Sequence, residues 1–224
     1  MDHSGHRSRL KQRFCEQGLD GFNQINALEL MLFYAIPRVD TNPIAHRLLN
    51  RFGSISNVVE APMEELLRVE GITENTAVLL RLFLSFTRYY LADKDKAIGQ
   101  ITDFQTAINM VLPLFVGRTD ETALAIMLDA KGKILKVDIL SAGTKDATPI
   151  TGRKVAELAL LCGAYRVLLA HNHPGGFALP SQEDYDATAD VERALNALHI
   201  HLLDHFIVAD GDCVSLRQSG YKSQ

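Results

Sequence analysis

Up to Tyr90 the apolar residues fall in blocks broken by polar residues, prolines and glycines, and the blocks read as helices. Ala27 to Ala35 is rich in strong helix formers, with Asn26 as N-cap and Pro37 as terminator. Thr41-Asn42-Pro43 opens another helix over Ile44 to Phe52, with proline at an early position and Gly53 as C-cap. Ser54 to Ala61 is a short connecting helix or turn. Met63 to Arg68 predicts a helix and Val69 to Thr73 a turn. Glu74 to Tyr90 predicts a second helix, with apolar positions at Val78, Leu82, Leu84 and Phe86. His3, His6, Arg7, Arg9, Lys11 and Arg13 make residues 1–13 a basic arm leading into a helix.

Beyond residue 118 strands alternate with helices. Phe104 to Leu112 is helical, and Pro113 and Gly117 break it. Glu121 to Leu128 and Lys133 to Ser141 then read as a hairpin turning at Asp129-Ala130-Lys131-Gly132. Gly143 and Pro149 mark the next loop. Thr151 to Cys162 reads as a helix with Val155, Leu158, Ala159 and Cys162 facing inward. Val167 to Ala170 is an apolar run typical of a buried strand. A helix over Asp184 to Leu198 and strands over Ile200 to Ala209 and Val214 to Leu216 complete the chain. The expected fold class is α+β. An all-helical domain (1–93) and a polar linker (94–101) precede an α/β domain with a mixed sheet (102–224).

With 224 residues and 47% hydrophobic content the core is ample. The net charge of −4 supplies no general basic field for nucleic acid. After residue 100 there are 15 acidic residues against 11 basic ones. Cys15, Cys162 and Cys213 are scattered and form no Cys-x-x-Cys, which argues against a disulfide framework or a cysteine zinc knuckle. There is no apolar leader and no apolar run of ~18 residues. The expectation is a cytoplasmic protein without a membrane span.

The chemistry concentrates where the apolar strand ends. His171-Asn172-His173 follows Ala170, and alternate strand residues share a face, so both imidazoles can point one way. Pro174-Gly175-Gly176 forces a turn. Ser181 is a fitting N-cap for the next helix, with Asp184 in its first turn. Two imidazoles and one carboxylate are a common ligand set for catalytic zinc, the fourth position being left to water.

This stretch resembles the JAMM (MPN+) metalloprotease motif, His-x-His-x7-Ser-x2-Asp, at His171, His173, Ser181 and Asp184. Within it, His-Asn-His-Pro followed by Gly and then Pro-Ser is similar to the RadC branch, with Gly175 where that branch usually has Ser. The resemblance implies a JAB/MPN domain with a cytidine-deaminase-like α/β/α core. It implies one Zn2+ held by His171, His173 and Asp184, a general base and an oxyanion donor. The family's base is a Glu opening an early strand. Glu121, with Leu128-Asp129 at the far end, resembles that arrangement; Glu157 on the preceding helix is the rival. Ser181 matches the family residue that steadies the oxyanion. His205, in Asp204-His205, reads as a core histidine with a backbone partner, with a ligand-supporting or fourth-ligand role as the alternative. Gly152-Arg153-Lys154 stands near a Pro-Arg-Glu of RadC-like chains, and its Lys departs from that pattern.

Residues 62–77 resemble a helix-hairpin-helix, whose turn N–H groups receive a DNA phosphate. Here Thr73 replaces the second glycine and Glu74 adds a negative charge, both weakening such contact. The implied activity is hydrolysis of a peptide or isopeptide bond in a peptide or protein substrate. The alternative is a DNA-associated repair or recombination protein contacting DNA through residues 62–77 and the basic arm. A zinc nucleobase deaminase would need His-x-Glu and Pro-Cys-x-x-Cys, and neither is present.

Overall fold

The computed structural model describes residues 3–95, 100–143 and 150–222. The chain divides into two compact units, Met1–Thr87 and Arg88–Gln224.

The first unit is helical. It contains α1 (His3–Gln17), α2 (Gln24–Ala35), α3 (Asn42–Phe52), α4 (Ile55–Glu60), α5 (Met63–Leu67) and the start of α6 (Glu74–Asp95). Leu28, Leu32, Ile44, Leu48, Val58, Leu66 and Leu80 are among the side chains of its main core. Three expectations are corrected here. The α2 cap is Asn23, whose side chain accepts from Asn26 N–H, so the helix starts earlier than Asn26. The basic arm is itself helix α1. The expected apolar positions Val78, Leu82 and Phe86 of α6 are exposed, and the buried ones are Ala77 and Leu80.

Helix α1 is held by its own cations. The Arg7 guanidinium lies 4.6 Å from the Phe33 ring centre and donates to the carbonyls of Phe33, Ile36 and Val39. A cation at the end of α2 also meets the negative end of that helix dipole. Arg13 stacks on Phe22 and donates to Gly21 O. His6 reaches the fully buried Glu29.

Helix α6 continues to Asp95, into the expected linker. Residues 96–99 lie outside the described residues, and Gln100 bridges to Lys133. The second unit then contains α7 (Phe104–Val111), a 3-10 turn (Leu112–Phe115), β1 (Thr122–Leu128), β2 (Ile134–Ala142), α8 (Gly152–Cys162), β3 (Arg166–Asn172), α9 (Gln182–Asn196), β4 (His201–Ala209) and β5 (Asp212–Ser215). Apart from Gly143, the loop expected to end at Pro149 lies outside the described residues.

Among the described residues the strands form one mixed sheet, ordered β2-β1-β3-β4-β5. β3 and β4 are parallel and the other neighbours antiparallel. Every β1 residue is buried, as a central strand covered on both faces requires. Ala123, Ala125 and Met127 join Val155, Ala159, Val191 and Leu195 of α8 and α9 in one core. Leu124, Ile126 and Leu128 join Ala107, Met110 and Phe115 in the other. This is the expected α/β/α layering. Gly152 sits against α9, where an added Cβ would lie 2.6 Å from Asp190 O. The neighbouring Lys154 donates to Leu140 O of β2. Among the described residues no helix is long and apolar enough to cross a membrane.

Candidate metal centre

The period of strand β3 sets the site. Val167 and Leu169 face the α8/α9 core, while Leu168 and Ala170 face the other. Continuing that alternation puts His171 and then His173 on the α9 side. Helix α9 starts at the same place. Ser181 Oγ accepts from Asp184 N–H at 3.2 Å, and Asp184 Oδ2 accepts from Ser181 N–H at 2.7 Å. This reciprocal cap orients the Asp184 carboxylate towards the strand end.

Three expected ligands therefore converge. His171 Nε2 lies 2.8 Å from His173 Nε2 and 3.1 Å from Asp184 Oδ1, and His173 Nε2 lies 3.7 Å from Asp184 Oδ2. Ligand atoms of the three residues all fall within 4.8 Å of one another. Tetrahedral zinc with bonds of ~2.0–2.1 Å keeps its ligands about 3.3 Å apart, and the observed separations bracket that. The donor chemistry also fits. His173 Nδ1 is 3.3 Å from Phe177 O, an acceptor only, so Nδ1 carries the proton and Nε2 keeps its lone pair. A lone pair facing a second imidazole and a carboxylate calls for a positive charge between them. His173 is 24% exposed and His171 only 3%, so access is from the His173 side. Burial alone would raise the Asp184 carboxyl. The His171 contact and the Ser181 hydrogen bonds outweigh it and hold the group well below the usual carboxylate range.

Ser181 belongs to the same cluster: its hydroxyl also donates to Asp184 Oδ2 at 2.7 Å. Glu121 stands just before β1, two residues ahead of Ala123, the strand partner of His171. Its side chain is exposed and hydrogen-bonded to none of the other four. Its backbone accepts from Gly143 N–H at 3.1 Å. Glu157 is exposed on α8 and pairs with Arg153 at 2.9 Å.

The RadC-like JAB domain family matches residues 101–221. The chain belongs to that family. A UPF0758 protein of Ruegeria pomeroyi is 33% identical over 96% of this chain and 96% of its own length. Another, of Fusobacterium nucleatum, is 29% identical over 98% and 97%. The RadC-like JAB domain is metalloprotease-like, and His171, His173 and Asp184 form a group that could hold a metal ion.

Two residues of this region, Asn172 and Thr188, had no signal in the sequence. Asn172, between the two histidines, points to the opposite side of the strand and is buried. Its Oδ1 accepts from Thr122 N–H at 2.8 Å, and its Nδ2 donates to Arg118 O at 3.3 Å and Asp120 O at 3.2 Å. The segment carrying Glu121 is thus fastened to β3. Thr188, one turn after Asp184, contacts His205, whose partners are side chains and not the expected backbone. Burial, then the neighbouring His171, pushes the His205 imidazole down to about 3, so it is neutral near pH 7. Asp204 accepts from the backbone N–H of His205 and of Arg217, at 2.8 and 3.2 Å. A pattern read along the chain shows none of these partners, because each lies on another element.

Proposed function

We propose that this chain is a zinc-dependent hydrolase that cleaves a peptide or isopeptide bond in a protein or peptide substrate. The observation carrying the proposal is the convergence of His171, His173 and Asp184 on one point, open on the His173 side. Zinc, when bound, supplies Lewis acidity, polarising a carbonyl and making water acidic near neutral pH. His171 and His173 hold it through Nε2 and Asp184 through its carboxylate. Glu121 takes the proton of the attacking water and passes it to the leaving amine. Ser181 donates to the developing oxyanion. Its hydroxyl now faces Asp184 Oδ2, but that oxygen also holds the Ser181 N–H, so the hydroxyl can turn without leaving it unpaired. The free cysteines suit a reducing cytoplasm.

DNA contact through residues 62–77 is the second reading. Gly71, with φ of +90°, makes the tight turn such a hairpin needs. Thr73 Oγ1, however, accepts from Thr76 N–H at 3.4 Å, and Glu74 is exposed beside it. Arg7 and Arg13 are engaged with α2 and the preceding loop. We therefore favour the hydrolase. A DNA role predicts retention on DNA that falls steeply with salt.

The test is elemental analysis of untagged protein beside His173→Ala, followed by a peptide and isopeptide screen with Glu121→Gln as control. About one zinc per chain in wild type, little in His173→Ala, and turnover lowered about 10²–10⁴-fold by Glu121→Gln are expected. No zinc in either protein after zinc is supplied overturns the reading.

A further inference from the structure

His205 and Thr188 are each 1% exposed, and their polar atoms are aligned with two of the proposed ligands. His171 Nδ1 lies 2.9 Å from His205 Nε2. His205 Nδ1 lies 2.7 Å from Thr188 Oγ1, and Thr188 Oγ1 donates to Asp184 O at 2.5 Å. The contacts run from one ligand, through two buried side chains, to the backbone of another.

The hydrogens in this chain of contacts follow by elimination. The Asp184 carbonyl only accepts, so the single Thr188 hydroxyl proton goes to it. Thr188 Oγ1 must then accept, and His205 Nδ1 carries the proton that it accepts. His205 is buried, and its ring nitrogens meet only an imidazole and a hydroxyl, with no carboxylate to balance a charge, so it carries one N–H and its Nε2 is an acceptor. His171 Nδ1 must donate to it. The proton of His171 therefore sits on Nδ1, and Nε2 keeps its lone pair on the side of His173 and Asp184.

The sheet is built to make this contact. β3 and β4 pair Val167 with Leu202 but Leu168 with Asp204, one extra residue on β4. Without it, His205 would face the core opposite Leu202, since side chains alternate. With it, His205 pairs with Leu169 and faces the α9 side with His171. Asp204 Oδ1 takes the His205 N–H at this bulge. Thr188 follows Asp184 by one helical turn, so both lie on the same face of α9.

We propose that His205 and Thr188 are positioning residues that fix the tautomer and orientation of His171 and so set metal affinity. Ligand histidines commonly donate their second N–H to a carboxylate, carbonyl or water. Here the acceptor is a buried histidine whose own proton is fixed by the helix that carries Asp184. The site is thereby a hydrogen-bonded unit before any metal enters. The inference rests on the hydrolase reading for its purpose, while its structural content stands on the metal-free protein.

Two measurements test it. Nitrogen-15 NMR of the histidine rings in metal-free protein at pH 8 should show His171 protonated on Nδ1 and bare on Nε2. Zinc affinity by chelator competition should fall about 10–100-fold in Thr188→Val, which keeps the shape and removes the hydroxyl, with the His171 tautomer disturbed. Thr188→Ser should restore both, and circular dichroism reports whether each variant is folded. A wild-type His171 protonated on Nε2 overturns the proposal. So does a folded Thr188→Val with unchanged affinity and tautomer. Wild-type protein that binds no zinc but shows the expected tautomer would defeat the hydrolase reading and leave the hydrogen-bond assignment standing.

Discussion

Helices α6 and α9 both start after a glycine-bearing turn with a hydroxyl residue as cap. Thr73 caps α6 and Ser181 caps α9, each accepting the N–H three residues on. They differ in what that third residue carries. In α6 it is Thr76, whose hydroxyl lies 3.0 Å from Thr73 Oγ1, and the cluster closes on itself. In α9 it is Asp184, whose carboxylate reaches two imidazoles on a neighbouring strand. The same capping device serves packing in one unit and presents a carboxylate to two imidazoles in the other. A cap alone is no evidence of a site; the side chains facing it across the fold are.

The largest test of this contrast is to empty the third position. Asp184→Ala should weaken zinc binding by more than about 100-fold, beyond the 10–100-fold that outer partners contribute. Thr76→Ala should leave zinc binding unchanged. Chelator competition on both variants checks this, and equal effects would erase the distinction.

Next comes the fastening of Glu121. Asn172→Asp replaces two N–H donors by a carboxylate oxygen facing the Arg118 and Asp120 carbonyls. Zinc stoichiometry should hold, because His171 and His173 stay on the strand. Turnover of any substrate found in the screen should drop about a hundredfold, as expected when a catalytic group is displaced by ~1 Å. Loss of zinc instead would show that Asn172 supports the ligands and not the base.

The turns before the two helices sharpen the comparison on a stability scale. At Gly71 an added Cβ lies 2.9 Å from the buried Ile44 Cδ1, with φ at +90°. Gly71→Ala should cost about 2–3 kcal/mol through strain and crowding together. At Gly175 φ is +67° with nothing within 4 Å of an added Cβ. Gly175→Ser should cost only about 1 kcal/mol, from backbone strain alone. Urea unfolding of the two variants gives the difference, and equal losses would contradict it.

The smallest effect separates cysteines of the two units. Cys15 is exposed on α1. Burial, reinforced by Asp204, pushes the Cys213 thiol up to about 12. Alkylation at pH 8, read by mass spectrometry, should label Cys15 and spare Cys213. The sign for stability follows. Between the ordinary thiol value near ~8.5 and about 12 the unfolded chain has lost a proton that the folded chain keeps, so this contribution declines as pH rises. Cys213→Ser should flatten that decline.

Much of this was legible along the chain, because local rules set it. Strand alternation put His171 and His173 on one side, and a Ser-x-x-Asp helix start placed Asp184 in the first turn. Glycine closed α3, and the change from helical blocks to alternating strands and helices marked the sheet unit. Boundaries were less legible: Asn23 and Asn26 are both fair caps, and only the hydrogen bond chooses between them.

The sequence by itself determined the grouping of His171, His173 and Asp184 and the order of elements, since both depend on residues a few positions apart. Tertiary structure decided the rest. α1 is held as a helix by Arg7 reaching carbonyls 26 to 32 residues away. α6 buries Ala77 and Leu80 and leaves Val78, Leu82 and Phe86 exposed, a choice made by the surface it packs on. His205 faces His171 because a one-residue shift in β4 reverses the strand's phase, and strand alternation alone predicts the opposite face. Asn172 holds the Glu121 segment because β1 lies beside β3. Such contacts form between elements that only folding brings together, and their geometry is fixed by pairing register.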